Sequence, residues 1–392
     1  KGDFYYEPPS GYLALCTDNL SDPEIKLPGE NFNTLLWTGD GSASRSITGL
    51  GFQADMMWSK IRTETHQHNL VDRVRGVDQR LLMPNATNTE DTTCTHGWFD
   101  SLDSDGWSMT YAGGGWNVNT NSEDYVGWAW KAGGAPTADN SAGAGATPTA
   151  GSVKIDGANL GSALAGSIPA IRLSANTESG FSIVKYVGDG NNGATIAHGL
   201  SVTPELVLVK NLSATANWLV GAYSVYGTSG GEEGYQILNL ANAVNYSNGG
   251  FYDTPTASVI EMGSWDNVNE NLDDFVMYCL HSVEGYSKVG SYEGNNNTDG
   301  VFIYTGFKPA YFMCKNVDSS ANWDISTGKI PGYNQIDDRL RANLSNAEES
   351  TGYIDFVSNG VKMRNNNGSQ NAAETFIYLA FAESPFKYSN AR

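Results

Sequence analysis

The residues that could do chemistry are scattered carboxylates, a few histidines and a glycine-rich stretch that ends in lysine. That stretch places Gly188 and Gly190 ahead of Lys210. A phosphate-binding loop needs its lysine directly after the glycines, at the start of a helix. Here the lysine closes the run ELVLVK, which is typical of a strand. The stretch therefore predicts a turn between strands, with the lysine capping a strand at the surface.

Paired carboxylates are the requirement for glycoside hydrolysis, which places one on each side of the scissile bond. The sequence offers three acidic pairs, all in turn-like segments: Asp103/Asp105, Glu232/Glu233 and Asp337/Asp338. Solvated turn residues explain these pairs without catalysis. We predict that the protein is not an enzyme. The alternative is a carbohydrate-active enzyme, such as a glycan depolymerase, or a dedicated lectin.

Metal ligands are the next possibility. The segment DSLDSDGW has carboxylates at Asp100, Asp103 and Asp105, like part of a calcium loop, but it lacks the distal glutamate and the regular spacing. A hairpin turn accounts for it, so we predict no metal or cofactor, with calcium at these aspartates as the alternative. His66 and His68 have no cysteine or acidic residue close by in sequence, which favours a polar loop over a metal site.

Composition excludes further classes of function. The 392 residues carry a formal charge of −20 and a pI near 4.5, which repels nucleic acid. No apolar run approaches the roughly 18 residues of a membrane span, so we predict no membrane insertion. The four cysteines are widely separated, which favours buried free thiols over disulfides. The abundant glycine is typical of many short strands joined by turns.

Three segments of the chain repeat one pattern. Gly39, Gly188 and Gly294 precede Lys60, Lys210 and Lys315 by 21, 22 and 21 residues. Each segment then closes with a run that alternates as a strand does: DYVGWAWK, DFVMYCLH and TFIYLAFA. The repeats predict an all-β chain of three tandem antiparallel β-sandwiches of jelly-roll or lectin-like type, each about a hundred residues long.

The domain boundaries follow from these repeats. Copy one spans 31–131, copy two 180–284 and copy three 285–392, and 1–30 is the end of a preceding β unit or an arm. Between copies one and two, the Ala-, Gly-, Ser- and Thr-rich segment 132–179 predicts a flexible linker, or an arm that orders only against a partner. Copies two and three are separated only by the short stretch SVEGY. This difference in linker length predicts that copy one is a separate head and that copies two and three form a joined stalk or tip whose chains associate.

Several stretches carry a resemblance to a known class of proteins: GDFYYEPPSGYLALCTDNL, the frame GDG…GLxxxPxxxxVK, YCLHSVEGYSKVGSYEGN and FIYLAFAESPFKYSNAR. The chain resembles the repetitive, concanavalin-A-like β-sandwich virion and tail-fibre proteins of marine tailed phages. Its first 30 residues look like the end of the SPRY-like unit that often precedes such repeats. Copy one departs from the frame, with Ala54 in place of the proline and Ser59 before its lysine.

The resemblance implies a phage structural protein on the virion surface, assembled in the host cytoplasm. It would sit on a tail fibre, a tail appendage or the capsid surface and take part in host attachment. The implied partners are further copies of itself, in a homo-oligomer that could be a trimer, other virion proteins and a host cell-surface glycan.

Copy one holds seven of the ten tryptophans. Five align with core positions of the other copies, but Trp98 and Trp116 have no counterpart and sit beside glycines. An indole can stack on the apolar face of a sugar, so these two residues are the predicted glycan contact. The alternative is that both pack into subunit contacts or beneath their own loops.

Overall fold

The computed structural model describes residues 6, 9–12, 19–114 and 118–389. Strands make up 42% of the chain and helices 3%, which confirms the predicted all-β class. The helices whose full bounds lie in the described residues are α1 (Tyr223–Tyr226) and the 3₁₀ turns Pro28–Glu30 and Phe386–Tyr388. Among the described residues, no helix has the length and apolar character needed to cross a membrane.

Copy one folds into two antiparallel sheets that pack face to face. Its strands are β1 (Phe32–Thr38), β2 (Ser44–Thr48), β3 (Met56–Ile61), β4 (Asn69–Asp72), β5 (Gly97–Asp103), β6 (Gly106–Tyr111) and β7 (Asp124–Trp130). The main sheet has the order β1-β7-β3-β4, and the small sheet has the order β2-β6-β5. Trp37 and Met57 of the main sheet and Trp107 and Met109 of the small sheet share the apolar core between them.

Copy two repeats this plan with extra strands at both edges of its main sheet. The strands are β8 (Val153–Ile155), β9 (Ala158–Asn159), β10 (Arg172–Asn176), β11 (Phe181–Val187), β12 (Ala194–Ala197), β13 (Leu206–Asn211), β14 (Leu219–Gly221), β15 (Thr228–Ser229), β16 (Glu232–Ile237), β17 (Asn245–Tyr246), β18 (Phe251–Asp253), β19 (Val259–Met262) and β20 (Asp274–Leu280). The main sheet contains the order β11-β20-β13-β14, and the small sheet is β12-β19-β18.

Copy three joins the two layers into one continuous eight-stranded sheet. Its strands are β21 (Ser287–Glu293), β22 (Phe302–Tyr304), β23 (Phe307–Asn316), β24 (Asp324–Thr327), β25 (Ile336–Arg341), β26 (Glu349–Val357), β27 (Gly360–Met363) and β28 (Thr375–Pro385). The main-sheet order is β21-β28-β23-β24, and β25 connects it to a small sheet of order β26-β27-β22.

The repeated lysines occupy one register position. Lys60 on β3 pairs with Val126, Lys210 on β13 pairs with Val276, and Lys315 on β23 pairs with Ile377, each on the closing strand of its copy. The same strand order, with the lysine at the same place in it, therefore occurs three times. The placement of these lysines at the surface was wrong, because all three side chains are buried.

The outer faces of the three main sheets meet in one central core. Equivalent positions on the closing strands, Trp128, Tyr278 and Leu379, all belong to this cluster. Trp128 lies edge-on to Trp58 of its own copy and to Tyr311 of copy three, with ring centroids 6.1 and 5.7 Å apart. Because copy one contributes one face of its main sheet to this core, the prediction that it is a separate head was wrong.

The contacts between copies follow a cyclic order. Two residues beyond each lysine, the carbonyl groups of Arg62, Leu212 and Val317 accept a backbone hydrogen bond from the next copy in the cycle. The donors are Glu348 of copy three at 2.7 Å, Glu90 of copy one at 3.4 Å and Val244 of copy two at 2.8 Å. These contacts link the three similar units of one chain in a closed cycle, as the subunits of a cyclic trimer are linked.

The segment 132–166 orders against its own chain. β8 pairs in parallel with β10, and Val153 lies in the core of copy two. Small residues permit the close approach: a Cβ atom on Gly133 would lie 2.3 Å from the carbonyl oxygen of Ala175. The composition that predicted a flexible linker, or an arm awaiting a partner, instead serves tight backbone docking inside the protein.

Candidate functional site

The aspartates considered for calcium lie on and beside the β5–β6 hairpin. Each already has a partner: Asp100 accepts from Thr110 at 3.0 Å, Asp103 from Ser101 at 2.5 Å, and Asp105 from the amides of Gly51 at 2.7 Å and Gly49 at 3.0 Å. These amide hydrogen bonds hold the pKa of Asp105 below its usual value. In the described part of the chain, no three His, Cys, Asp or Glu side chains are grouped so that they could hold a metal ion.

The two tryptophans nominated for a glycan have different outcomes. Trp98 is half-buried on the outward side of β5 and packs against the core of copy one. Its indole nitrogen is buried and has no hydrogen-bond partner. Trp116 lies outside the described residues. A glycan contact at these residues therefore stays a prediction.

Trp98 does have a counterpart, which the strand register reveals. In copy one Phe99 pairs with Met109, and in copy three Ile354 pairs with Met363. Trp98 and Tyr353, one residue earlier on each strand, therefore occupy the same position. The β5 strand has a register shift between Phe99 and Ser101, and the inserted residue conceals the match in the sequence.

The small sheets keep their inner face and vary their outer face. Inward positions stay apolar in all copies, as at Ile47, Ile196 and Ile303, and at Met109, Met262 and Met363. The outward neighbours of those isoleucines are Ser46 and Thr48 in copy one, Thr195 and Ala197 in copy two, and Phe302 and Tyr304 in copy three. The shared frame therefore presents a different surface in each copy.

Only copy three places aromatic rings at both of these outward positions. Phe302 is 48% exposed and Tyr304 is 56% exposed, and Tyr353 on the same face is 41% exposed. Sequence reasoning missed this face. The available signal was the three-residue strand FIY, where an inward Ile303 requires both neighbouring rings to point outward.

The acidic pairs do not share one environment. Asp338 accepts a hydrogen bond from Ser350 at 2.6 Å in an exposed setting, as a turn or edge residue does. Glu233 is instead buried on β16 and accepts from Thr254 at 3.3 Å. Burial raises the pKa of Glu233, and the nearby Asp253 carboxylate adds to this effect. Glu233 is therefore the carboxyl group for a test of the enzyme alternative.

The three buried lysines donate hydrogen bonds to backbone carbonyl groups at the ends of their strands and in the loops that follow. Lys60 reaches the carbonyls of Ile61 at 2.5 Å and Glu64 at 3.1 Å. Lys210 reaches Ala216 at 2.9 Å and, across the boundary with copy one, Thr87 at 3.2 Å. Burial lowers the pKa of Lys60 to about 7, and burial lowers the pKa of Lys210 to about 8.

The residue eight positions after each repeated lysine forms a hydrogen bond to a neighbouring copy. The indole nitrogen of Trp218 donates to the Met83 carbonyl of copy one, and that of Trp323 donates to the Ile237 carbonyl of copy two, both at 3.1 Å. His68 occupies this position in copy one, and its Nε2 lies 3.0 Å from the Arg341 carbonyl of copy three. His68 is thus buried in a copy boundary and does not lie in a polar loop.

The protonation state of His68 follows from its two contacts. Its Nδ1 accepts from the indole nitrogen of Trp58 at 2.9 Å, so Nε2 carries the hydrogen and donates to copy three. Burial lowers the pKa of His68 to about 3 and keeps the ring neutral. Trp58 and His68 therefore form a structural contact at the boundary between copies one and three.

The lysine environments predict a pH dependence of folding. Between about pH 7 and pH 8.5 an unfolded lysine keeps its proton, while buried Lys210 loses its own. The unfolded state then binds more protons, so the free energy of unfolding should rise with pH, by at most about 1.4 kcal/mol per pH unit for each lysine. Urea unfolding measured across this range checks the slope.

Lys210→Met should reduce that slope by the contribution of Lys210, whose pKa burial alone lowers, while Lys60 and Lys315 keep their contributions. Lys329→Met, at an exposed position, is the matched control and should keep the wild-type slope. Equal slopes in the wild type and in Lys210→Met would show that the buried amine does not titrate in this window.

The fold and these contacts define an all-β protein of paired antiparallel sheets, stabilised by a shared core. A family model described as a domain of unknown function, DUF7483, matches residues 27–155 and 153–385. The two matches together span most of the chain, and the protein belongs to this family. Searches of curated proteins and of solved structures gave no significant match.

Proposed function

We propose that the protein is a structural component of a tailed-phage particle, carried on a tail fibre, a tail appendage or the capsid surface. There it takes part in attachment to the host, in contact with further copies of itself and with other virion proteins. The sequence resemblance supports the viral setting, and the architecture supports a load-bearing role.

The observation that carries this proposal is the single core shared by three similar units. Copies one and three are tied further by the ion pair between Arg62 and Glu348, at 2.7 Å in a half-buried setting. A body closed in this way resists separation of its units, because opening any boundary exposes apolar surface of all three. The three small sheets remain at the periphery, where they can present different surfaces.

A particle-level experiment tests the proposal. We expect the chain to copurify with phage particles through a density gradient and a salt wash, and gold-labelled antibodies against it to mark one place on the particle. A phage enzyme expressed in the same infection is the control, and it should remain in the soluble lysate. Recovery of this chain only from the soluble fraction would contradict a structural role.

The enzyme alternative makes a different prediction, which Glu233 allows us to test. We expect purified protein to release no new reducing ends from host polysaccharide, and Glu233→Gln to behave as the wild type does. A depolymerising activity that Glu233→Gln abolishes would replace the structural proposal, since a buried carboxyl group of raised pKa suits a general acid.

A further inference from the structure

We propose that the outer face of the small sheet in copy three binds a glycan, with Phe302 and Tyr304 as its stacking rings. This deepens the attachment role proposed above and rests on that role for its biological setting. The face consists of β22, β27 and β26, and its outward side chains fall into rows that the register defines. One row is Phe302, Lys362 and Asp355, and the next is Tyr304, Gly360 and Val357.

The rings are not required by the fold. At the same two positions copy one has Ser46 and Thr48, and copy two has Thr195 and Ala197, on the same register against the neighbouring strand. An aromatic ring left in water gains nothing for folding, so two of them on one short strand need another explanation. Binding of an apolar surface supplies that explanation.

The rings are held in place before any ligand arrives. The ring of Phe302 lies over Gly360 of the adjacent strand, where a Cβ atom would come within 2.9 Å of it. The amine of Lys288 lies 5.3 Å from the centre of the Tyr304 ring and donates to the Tyr304 carbonyl at 3.2 Å. Because the rings are already ordered, binding of a ligand costs less side-chain conformational entropy.

Their spacing suits a chain of sugars. Phe302 and Tyr304 lie two residues apart on one strand, which separates them by about 7 Å. Each ring can then stack on the apolar face of a different sugar residue. Tyr353, on the same face of β26, extends the aromatic surface across the sheet.

The charged groups between the rings favour a glycan over a protein partner. Lys362 pairs with Asp299 at 2.8 Å, and Arg364 pairs with Asp355 at 2.6 Å. These pairs interrupt the apolar surface, whereas the centre of a protein interface is depleted of charged residues. They also offer donors and acceptors to sugar hydroxyl groups along the length of the face.

The test is a glycan array of neutral and uronic-acid-containing hexose oligosaccharides, probed with purified full-length protein. The variant Phe302→Ser/Tyr304→Thr carries the residues that copy one has at these positions, so it should melt as the wild type does. We expect wild-type binding to at least one oligosaccharide and a loss of tenfold or more in the variant. The matched control is Tyr252→Ser, which removes a 38% exposed ring from copy two and should leave binding unchanged.

Four results would overturn the assignment. The first is an array on which the wild type binds nothing, and the second is equal binding by Phe302→Ser/Tyr304→Thr. The third is loss of binding in Trp98→Ala, which would place the glycan on copy one. If the double variant instead dissociates a wild-type oligomer, the face is a contact between chains and the assignment also fails. Because the array uses purified protein, absence of the chain from particles would refute the proposed function and leave this result standing.

Discussion

Trp128→Ala should destabilise the protein by about 3–5 kcal/mol, the range for loss of a large aromatic side chain from a packed core. Trp128 is fully buried and touches rings from two copies, Trp58 in its own and Tyr311 in copy three. The cavity left behind would open at the meeting point of the main sheets. We therefore expect the loss to appear in all three copies, as one unfolding transition at lower urea concentration.

Hydrogen exchange read by mass spectrometry distinguishes a shared core from three separate ones. In Trp128→Ala, exchange should accelerate in β13 and β23 as well as in copy one. Trp107→Ala is the matched control, since Trp107 is equally buried but packs between the two sheets of copy one. Its faster exchange should centre on β2, β5 and β6. Acceleration confined to copy one in both variants would mean that the copies unfold as independent domains.

The strand pattern of this fold could be predicted from the sequence, because a two-residue alternation reports directly which face is covered. The closing strands show this best. DYVGWAWK, DFVMYCLH and TFIYLAFA put Trp128, Tyr278 and Leu379 at one position, and the structure places all three in one core. The equal register of the three lysines also follows from spacing alone.

The burial of those lysines could not be predicted in the same way. A lysine at a strand end is ordinarily at the surface, and whether it is buried depends on what covers the strand. The residues that bury the Lys210 side chain include Thr87, which lies 123 residues earlier in the chain. The closed arrangement of the copies depends on such long-range contacts, and no local pattern in the sequence encodes them.

The candidate glycan face was missed for a related reason. Comparison of the copies by sequence emphasised tryptophan, and the tryptophans of copy one are mostly core or boundary residues, as at Trp58 and Trp107. The two stacking rings of the proposed face, Phe302 and Tyr304, lie in a three-residue strand. Their outward direction becomes visible only when the strand register fixes Ile303 as the inward residue.

Asp72→Ala should cost about 3–5 kcal/mol, the range for removal of one partner from a buried ion pair. Asp72 is fully buried at the end of β4, and its carboxylate accepts from the Arg75 guanidinium at 2.5 Å. It also accepts from the amide of Val74 at 3.0 Å and from the hydroxyl of Tyr278 in copy two at 2.8 Å. Among the described residues, the variant leaves Arg75 with Glu90 as its one charged partner, at 2.7 Å, and Glu90 also pairs with Arg80.

A double-mutant cycle separates the charge effect from the loss of packing. Arg75→Met alone leaves the Asp72 carboxylate without its guanidinium partner, whereas Asp72→Ala/Arg75→Met removes both charges. The loss of unfolding free energy in the double variant should therefore be smaller, by several kcal/mol, than the sum of the losses in the two single variants. Tyr278→Phe isolates the link between copies and should cost about 1.5–3 kcal/mol, the range for a hydrogen bond to a charged group. Urea unfolding of the wild type and the four variants measures each of these free energies. Additive effects would show that Asp72 and Arg75 are not coupled, and an unchanged Tyr278→Phe would remove the hydroxyl from the contacts that hold copies one and two together.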